Sequence, residues 1–224
     1  MLLNLICVVL LLFLPISFLL CHTLPNRPQM NQVPIALAAL GVAASPTIWN
    51  IVARNEYRNH TMERMFGGKQ KGCYALAAWI FFSSLVRDHL FHKAVTANAH
   101  LVLTQDAGAK KALQVAGITS AAGGLVLVMS AYYRLGITGT YLGDYFGILM
   151  KERVVSFPFS HFSDPMYLGS FLTFLGISLR ENSAVGVGLS MWVKIVYDIS
   201  TKYFEGPFTT KIYEKAARDA AKAV

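Results

Sequence analysis

Charge is what this chain has least of. Only 14% of its 224 residues are Asp, Glu, Lys or Arg, against roughly 25% in an ordinary soluble domain. Hydrophobic residues make up 54%, and the mean hydropathy is +0.46. A soluble core cannot absorb that much apolar surface, so the composition predicts an integral membrane protein. Cysteine is also scarce. Cys7, Cys21 and Cys73 are the only three, and none has metal-ligand spacing. That excludes a disulfide framework and a zinc site, and leaves them as small hydrophobes. No nucleic-acid-binding module is visible, and the aromatics fall mostly inside apolar runs. The net charge of +8 therefore reads as basic loops against anionic headgroups, not as nucleic-acid binding. No internal repeat stands out, so residues 1–224 read as one domain.

What the chain does have is long apolar runs. Residues 2–20 form one without the basic lead and small-residue cleavage site of a secretory signal, which favours a retained anchor. With the Pro-containing linker that follows, this anchor occupies residues 1–32. Residues 33–53 are apolar but interrupted at Ser45-Pro46, which predicts a kink or helix end near Ala44, giving either a kinked span or a re-entrant pair. A polar, basic stretch over 54–71 closes on Gly67-Gly68. A span over 73–86 is expected to stop at Arg87-Asp88-His89, and 112–133 is an uninterrupted one. Gly139, Gly143 and Gly147 then recur every fourth residue, predicting three glycines on one helical face. Residues 165–179 and 183–203 form either a helical hairpin turning at Arg180-Glu181-Asn182 or a half-helix and a span. The tail, 202–224, is basic: Lys211, Lys215, Arg218 and Lys222 fit a cytosolic or interfacial helix lying on an anionic bilayer surface. The expectation is an all-α, polytopic integral membrane helical bundle with four to five membrane-embedded segments. Charge does not orient it, because basic loops flank both ends of one span. Asn59-His60-Thr61 is a glycosylation sequon, used only if its loop is lumenal.

Polar and turn-forming residues bracket the last apolar block. Arg153-Val154-Val155-Ser156-Phe157-Pro158-Phe159 and Asp164-Pro165-Met166-Tyr167-Leu168-Gly169-Ser170 precede it, and Glu205-Gly206-Pro207-Phe208-Thr209 closes it. In lipid each such group needs a partner, so the bracket marks a site at the membrane boundary. Together with Leu142-Gly143-Asp144-Tyr145-Phe146-Gly147, these motifs resemble the phospholipid methyltransferase family over about residues 47–213. The resemblance implies transfer of methyl groups from S-adenosylmethionine to the amine of phosphatidyl-N-methylethanolamine and its dimethyl product, ending in phosphatidylcholine. It also implies the endoplasmic reticulum membrane, multi-pass, with the donor reached from the cytosol. The family's Gly-x-Gly falls on Ala122-Gly123-Gly124 and its Glu-Glu on Glu205-Gly206, so the chain departs from the pattern at Ala122 and Gly206.

The chemistry implied is in-line displacement by a neutral amine, in which orientation alone supplies roughly 7–11 kcal/mol. It calls for no metal. Glu205 can pair with the cationic donor, as an alternative to a solvated interfacial carboxylate. Gly123 and Gly124 would admit the donor to the backbone, although helix packing explains a glycine pair equally well. Pro165 and Tyr167 can wall the cofactor pocket, or cap a helix with an interfacial tyrosine. Asp144 can orient the headgroup amine, or partner Arg134, Arg153 or a backbone donor. His161 reads as an interfacial side chain rather than a base, and Lys151 and Arg153 as surface charge or phosphate ligands. Two rivals stand beside this reading: an isoprenylcysteine carboxyl methyltransferase-like enzyme, and a membrane scaffold without donor binding. The sequence leaves the oligomeric state open.

Overall fold

The computed structural model describes residues 29–152 and 154–222, so the apolar run at 2–20 and Arg153 lie outside the described residues. The chain divides into two compact units, Met1–Met30 and Asn31–Val224, and every regular element described belongs to the second. Those elements are all helical, as the composition predicts.

Helix α1 (Gln32–Asn59) contains Pro46 and neither stops at Ala44 nor folds back, which corrects the re-entrant alternative. Side chains around the proline bond helix carbonyls one turn back: Ser45 Oγ donates to Gly41 O (2.9 Å), Thr47 Oγ1 to Ala43 O (2.8 Å) and Asn50 Nδ2 to Pro46 O (2.9 Å). Such bonds keep these polar side chains satisfied within the helix, which lipid cannot do. A short helix, α2 (Thr61–Phe66), follows, and its open amides are capped by the fully buried Glu56, which accepts from Met62 N (2.5 Å) and Glu63 N (3.1 Å). Gly67 and Gly68, at φ 73° and 141°, make the turn into α3 (Lys69–Ala97).

Helix α3 continues through Arg87-Asp88-His89, where the sequence predicts a stop. Arg87 points inward rather than ending the helix. Its Nη1 donates to the Tyr197 hydroxyl (2.6 Å), its Nη2 meets Asp88 Oδ1 at 2.8 Å, and its guanidinium lies 5.3 Å from the Phe174 ring centre.

Helix α4 (Ala107–Thr140) starts on an Asp106 cap and carries one non-helical residue, Gly136. It ends before Gly143, which corrects the expected glycine face at 139, 143 and 147. Gly143–Phe146 is a separate 3-10 turn, entered through Leu142 at φ 58° and closed by Gly147 at φ 71°. The glycines that do bring two helices together are elsewhere. Gly117 and Gly124 on α4 face Gly176 and Gly169 on α5 (Pro165–Arg180), running antiparallel. A Cβ on Gly176 would lie 2.5 Å from both Ala121 N and Gly117 O, so only glycine allows this approach.

Helices α5 and α6 (Ala184–Ile199) form the hairpin, turning through Asn182 at φ 54°. Asn182 Nδ2 donates to Thr104 O (2.9 Å), and Ser183 Oγ caps Gly186 N (3.0 Å). After α6 comes a π-helical turn, Ser200–Glu205, and then α7 (Gly206–Lys222), the basic tail helix.

Alternation of direction sorts the bundle into two ends. The loop after α3, the α5–α6 turn and the start of α1 meet at one end through Asn98, Thr104 and Asn182. The end of α1, the 3-10 turn, the start of α5 and the π turn meet at the other. Two described helical stretches, Gln32–Asn59 and Ala107–Phe146, are long and apolar enough to cross a membrane. In the second only 17% of the most apolar window is buried, so it is not a core helix. Instead Val115, Ile118, Leu125, Val126 and Met129 point outward.

Candidate active site

Glu205 closes the π turn and is the hub of the second end. Its Oε1 accepts from Ser200 Oγ (2.7 Å), Trp49 Nε1 (2.9 Å) and Asn50 Nδ2 (3.0 Å), and its Oε2 from the Tyr167 hydroxyl (2.5 Å). These donors come from α1, α5 and the π turn itself. A carboxylate offers about four lone-pair sites, two on each oxygen; three donors crowd Oε1, and Oε2, with Tyr167 alone, keeps one site open. The four donors are neutral, so they fix the carboxylate without cancelling its charge. Asn50 Oδ1 is buried and accepts nothing. Arg54, one turn beyond Asn50, donates from Nη2 to Phe204 O (2.8 Å), and its Nε is buried without a partner.

The local backbone explains the position. A π turn adds a residue per turn, and such turns recur at functional sites. Here it carries Glu205 back beside Ser200, five residues earlier. Gly206 follows, and a Cβ there would lie 2.9 Å from Thr201 O. The absence of a second glutamate at 206 thus accompanies a tight backbone approach.

Tyr167 projects from the first turn of α5, set by Pro165 at the helix start. Its ring meets Tyr197 edge-on at 4.9 Å between centres, and Tyr197 in turn accepts from Arg87. Tyr167 also lines a cavity of about 280 Å³ with His161, Asp164, Lys194, Asp198 and Thr201. His161 is exposed there, with Nδ1 at 2.7 Å from Ser160 Oγ.

Asp144 lies elsewhere on this end. Its Oδ2 accepts from Thr209 Oγ1 (2.9 Å), while Tyr145 stacks on Phe208 at 5.0 Å and 13°. The 3-10 motif therefore holds the Pro207-Phe208-Thr209 start of α7. Arg134 does not pair with Asp144; its Nε donates to Phe157 O (3.3 Å).

Ala122, Gly123 and Gly124 sit apart from Glu205. Ala122 and Gly123 are exposed on α4, and Gly124 packs against Gly169 and Thr173. Gly169 is two residues, about 200°, around α5 from Tyr167, so this contact is on the opposite face of that helix. Sequence reasoning missed Trp49, Asn50 and Ser200. An asparagine inside an apolar run is the signal that could have found the second of these.

The match to known proteins covers the same elements. Residues 113–216 fit the family described as Phospholipid methyltransferase. The chain is 42% identical over 201 residues to the phosphatidyl-N-methylethanolamine N-methyltransferase of Emericella nidulans, covering 90% of this chain and 96% of that protein. It is 46% identical over 195 residues to the Saccharomyces cerevisiae protein of the same name, covering 87% and 91%. Against the phosphatidylethanolamine N-methyltransferase of Rattus norvegicus it is 37% identical over 201 residues, covering 90% and 96%. No solved structure matches. With such identity sustained along nearly the whole length, the chain belongs to the phospholipid methyltransferase family.

Proposed function

We propose that this protein is an S-adenosylmethionine-dependent phospholipid N-methyltransferase that converts phosphatidyl-N-methylethanolamine, through the dimethyl lipid, to phosphatidylcholine. Names shared by relatives of high coverage support the substrate class. The observation that carries the reading is the Glu205 carboxylate, held by four neutral donors at one end of an apolar bundle.

The residues suit the donor's chemistry. S-adenosylmethionine, when bound, supplies an electrophilic methyl on a sulfonium beside an amino-acid zwitterion. A sulfonium donates no hydrogen bond and needs negative charge nearby, which a carboxylate held by neutral donors still provides. Asn50 Oδ1 remains to accept from an ammonium, and Arg54 Nε to meet a carboxylate. Pro165 and Tyr167 hold one wall, and Gly206 lets the backbone close beneath Glu205. Gly124 seats α5 by close helix contact, while Ala122 and Gly123 lie beside it. Asp144 acts on the same end by fastening the start of α7 through Thr209.

The bundle is embedded in the endoplasmic reticulum membrane by α1, α3, α4 and the α5–α6 hairpin, four to five segments in all. Outward apolar side chains on α3, including Phe81, Phe82, Leu85 and Val86, support this. Helices α5 and α6, at 16 residues each, are about 24 Å long. That is short of a full crossing of about 30 Å, and it brings the Tyr167 end near the interface. Helix α7 lies along the surface with its lysines in the headgroups.

Glu205→Ala tests the assignment. In membranes, its lipid methylation is expected to be lost, with retention of labelled S-adenosylmethionine at least about a hundredfold weaker, since a hydrogen-bonded charge is removed from the site. Turnover near that of the unmodified chain, with the variant inserted normally, would remove Glu205 from the proposal.

A further inference from the structure

The cavity in front of Tyr167 carries groups that donor binding at Glu205 does not use. Lys194 and Asp198, one turn apart on α6, form an ion pair at 2.5 Å, yet their side chains remain 37% and 45% exposed. Both still face the cavity. Asp164, also in the lining, precedes α5, and among the described residues none donates a hydrogen bond to its carboxylate, not even as a cap. Tyr167 connects this space to Glu205: its ring lines the cavity and its hydroxyl binds the carboxylate.

We propose that this cavity takes the zwitterionic headgroup of the acceptor phospholipid, with Lys194 meeting its phosphate and Asp164 its methylammonium. The inference rests on the methyltransferase reading above and adds the acceptor's subsite to it. A phosphoethanolamine-type group carries an anion and a cation two carbons apart, and the cavity presents a lysine, already paired with Asp198, on α6 and a further carboxylate, Asp164, just before α5. Lysine is a compact, strongly hydrated point charge suited to phosphate. Two carboxylates against one lysine leave the space net negative, which favours a cationic end directed toward Tyr167. The Asp164 carboxyl is raised above the usual carboxylate range, first by burial and then by the Glu205 and Asp198 carboxylates, with Lys194 opposing. A cation placed there relieves that repulsion. Lys194 and Asp164 are positioning residues in this account; neither is asked to break a bond.

The test uses the full chain in mixed micelles of a non-ionic detergent containing phosphatidyl-N-methylethanolamine as a varied mole fraction. Lys194→Met and Asp164→Asn should each raise the lipid KM about tenfold or more. Binding of labelled S-adenosylmethionine should stay within twofold, and Lys194→Arg should recover most of the lipid affinity. A lipid KM unchanged in both variants overturns the inference. So does a parallel loss of donor binding, which would give the cavity to the donor. Methylation of water-soluble glycerophospho-N-methylethanolamine as efficiently as the lipid would assign the cavity to a free phosphoester instead. Absence of lipid turnover by the unmodified chain would overturn the function itself, a result separable from unchanged KM values in an active enzyme.

Discussion

Glu205 takes three neutral donors on Oε1 and one on Oε2, and that arrangement decides what each neighbour does when altered. Tyr167 supplies the one contact to Oε2. Tyr167→Phe keeps the ring against Tyr197 and removes only that bond, so the donor Kd should rise about tenfold, with membrane insertion unchanged; isothermal titration in detergent or nanodiscs reads this directly. Asn50→Ala removes a donor to both Glu205 and Ser200 and deletes the free Oδ1 acceptor. It should therefore weaken donor binding more than Tyr167→Phe does. Equal affinities in the two variants would mean that Oδ1 meets no ligand. Of these residues, Glu205 and Tyr167 were legible in the sequence because polar groups at the end of an apolar run are conspicuous. Ser200 was not, because a serine inside a helix ordinarily bonds its own backbone and only the π turn aims it at Glu205.

Between elements, the antiparallel glycine pairs set how α4 and α5 meet. A side chain at Gly176 collides with the backbone of α4 at Ala121 and Gly117. Gly176→Val should destabilise the bundle by roughly 1–3 kcal/mol and lower the temperature of activity loss in a thermal inactivation series, while Gly123→Ala, where nothing lies within 4 Å, should be neutral. The 3-10 motif has a comparable local duty. Thr209 Oγ1 on Asp144 and Phe208 on Tyr145 dock α7, with Tyr57 edge-on to the same Phe208 at 5.3 Å. Asp144→Ala should loosen that docking at a cost of about 1–2 kcal/mol; limited proteolysis within α7 would reveal it, and unchanged cleavage would return Asp144 to a direct role at the headgroup. Sequence periodicity located these helices but misjudged their limits. Arg87 read as a terminator because charge is costly in lipid, and the Tyr197 hydroxyl that accepts from it is 110 residues away.

Over the whole molecule, the fold sorts the basic residues by end. Arg58, Arg64, Lys69 and Lys71 share the Glu205 end with Lys202, Lys211 and Lys215, whereas Lys93, Lys110, Lys111 and Arg180 lie at the other. Positive-inside bias predicts that the Glu205 end faces the cytosol. The sequon asparagine, Asn59, is on that same end. Asn59 should therefore remain unmodified in microsomes, whereas a sequon engineered into the α3–α4 loop near Thr104 should be glycosylated; a gel shift for Asn59 would reverse the orientation.

Composition and local pattern were enough for an apolar, all-helical chain, because hydropathy and helix formation depend on neighbours in the chain; the methyltransferase reading came from the resemblance of its ordered motifs to a known family. Tertiary structure alone decided that α1 passes through Pro46 and that Gly117, Gly124, Gly169 and Gly176 are the contact glycines. It also decided that Trp49 and Asn50 reach Glu205 from more than 150 positions away. Each of those facts is a pairing between distant segments, and a hydrogen bond or a close backbone approach exists only once both partners have been brought to the same end of the bundle.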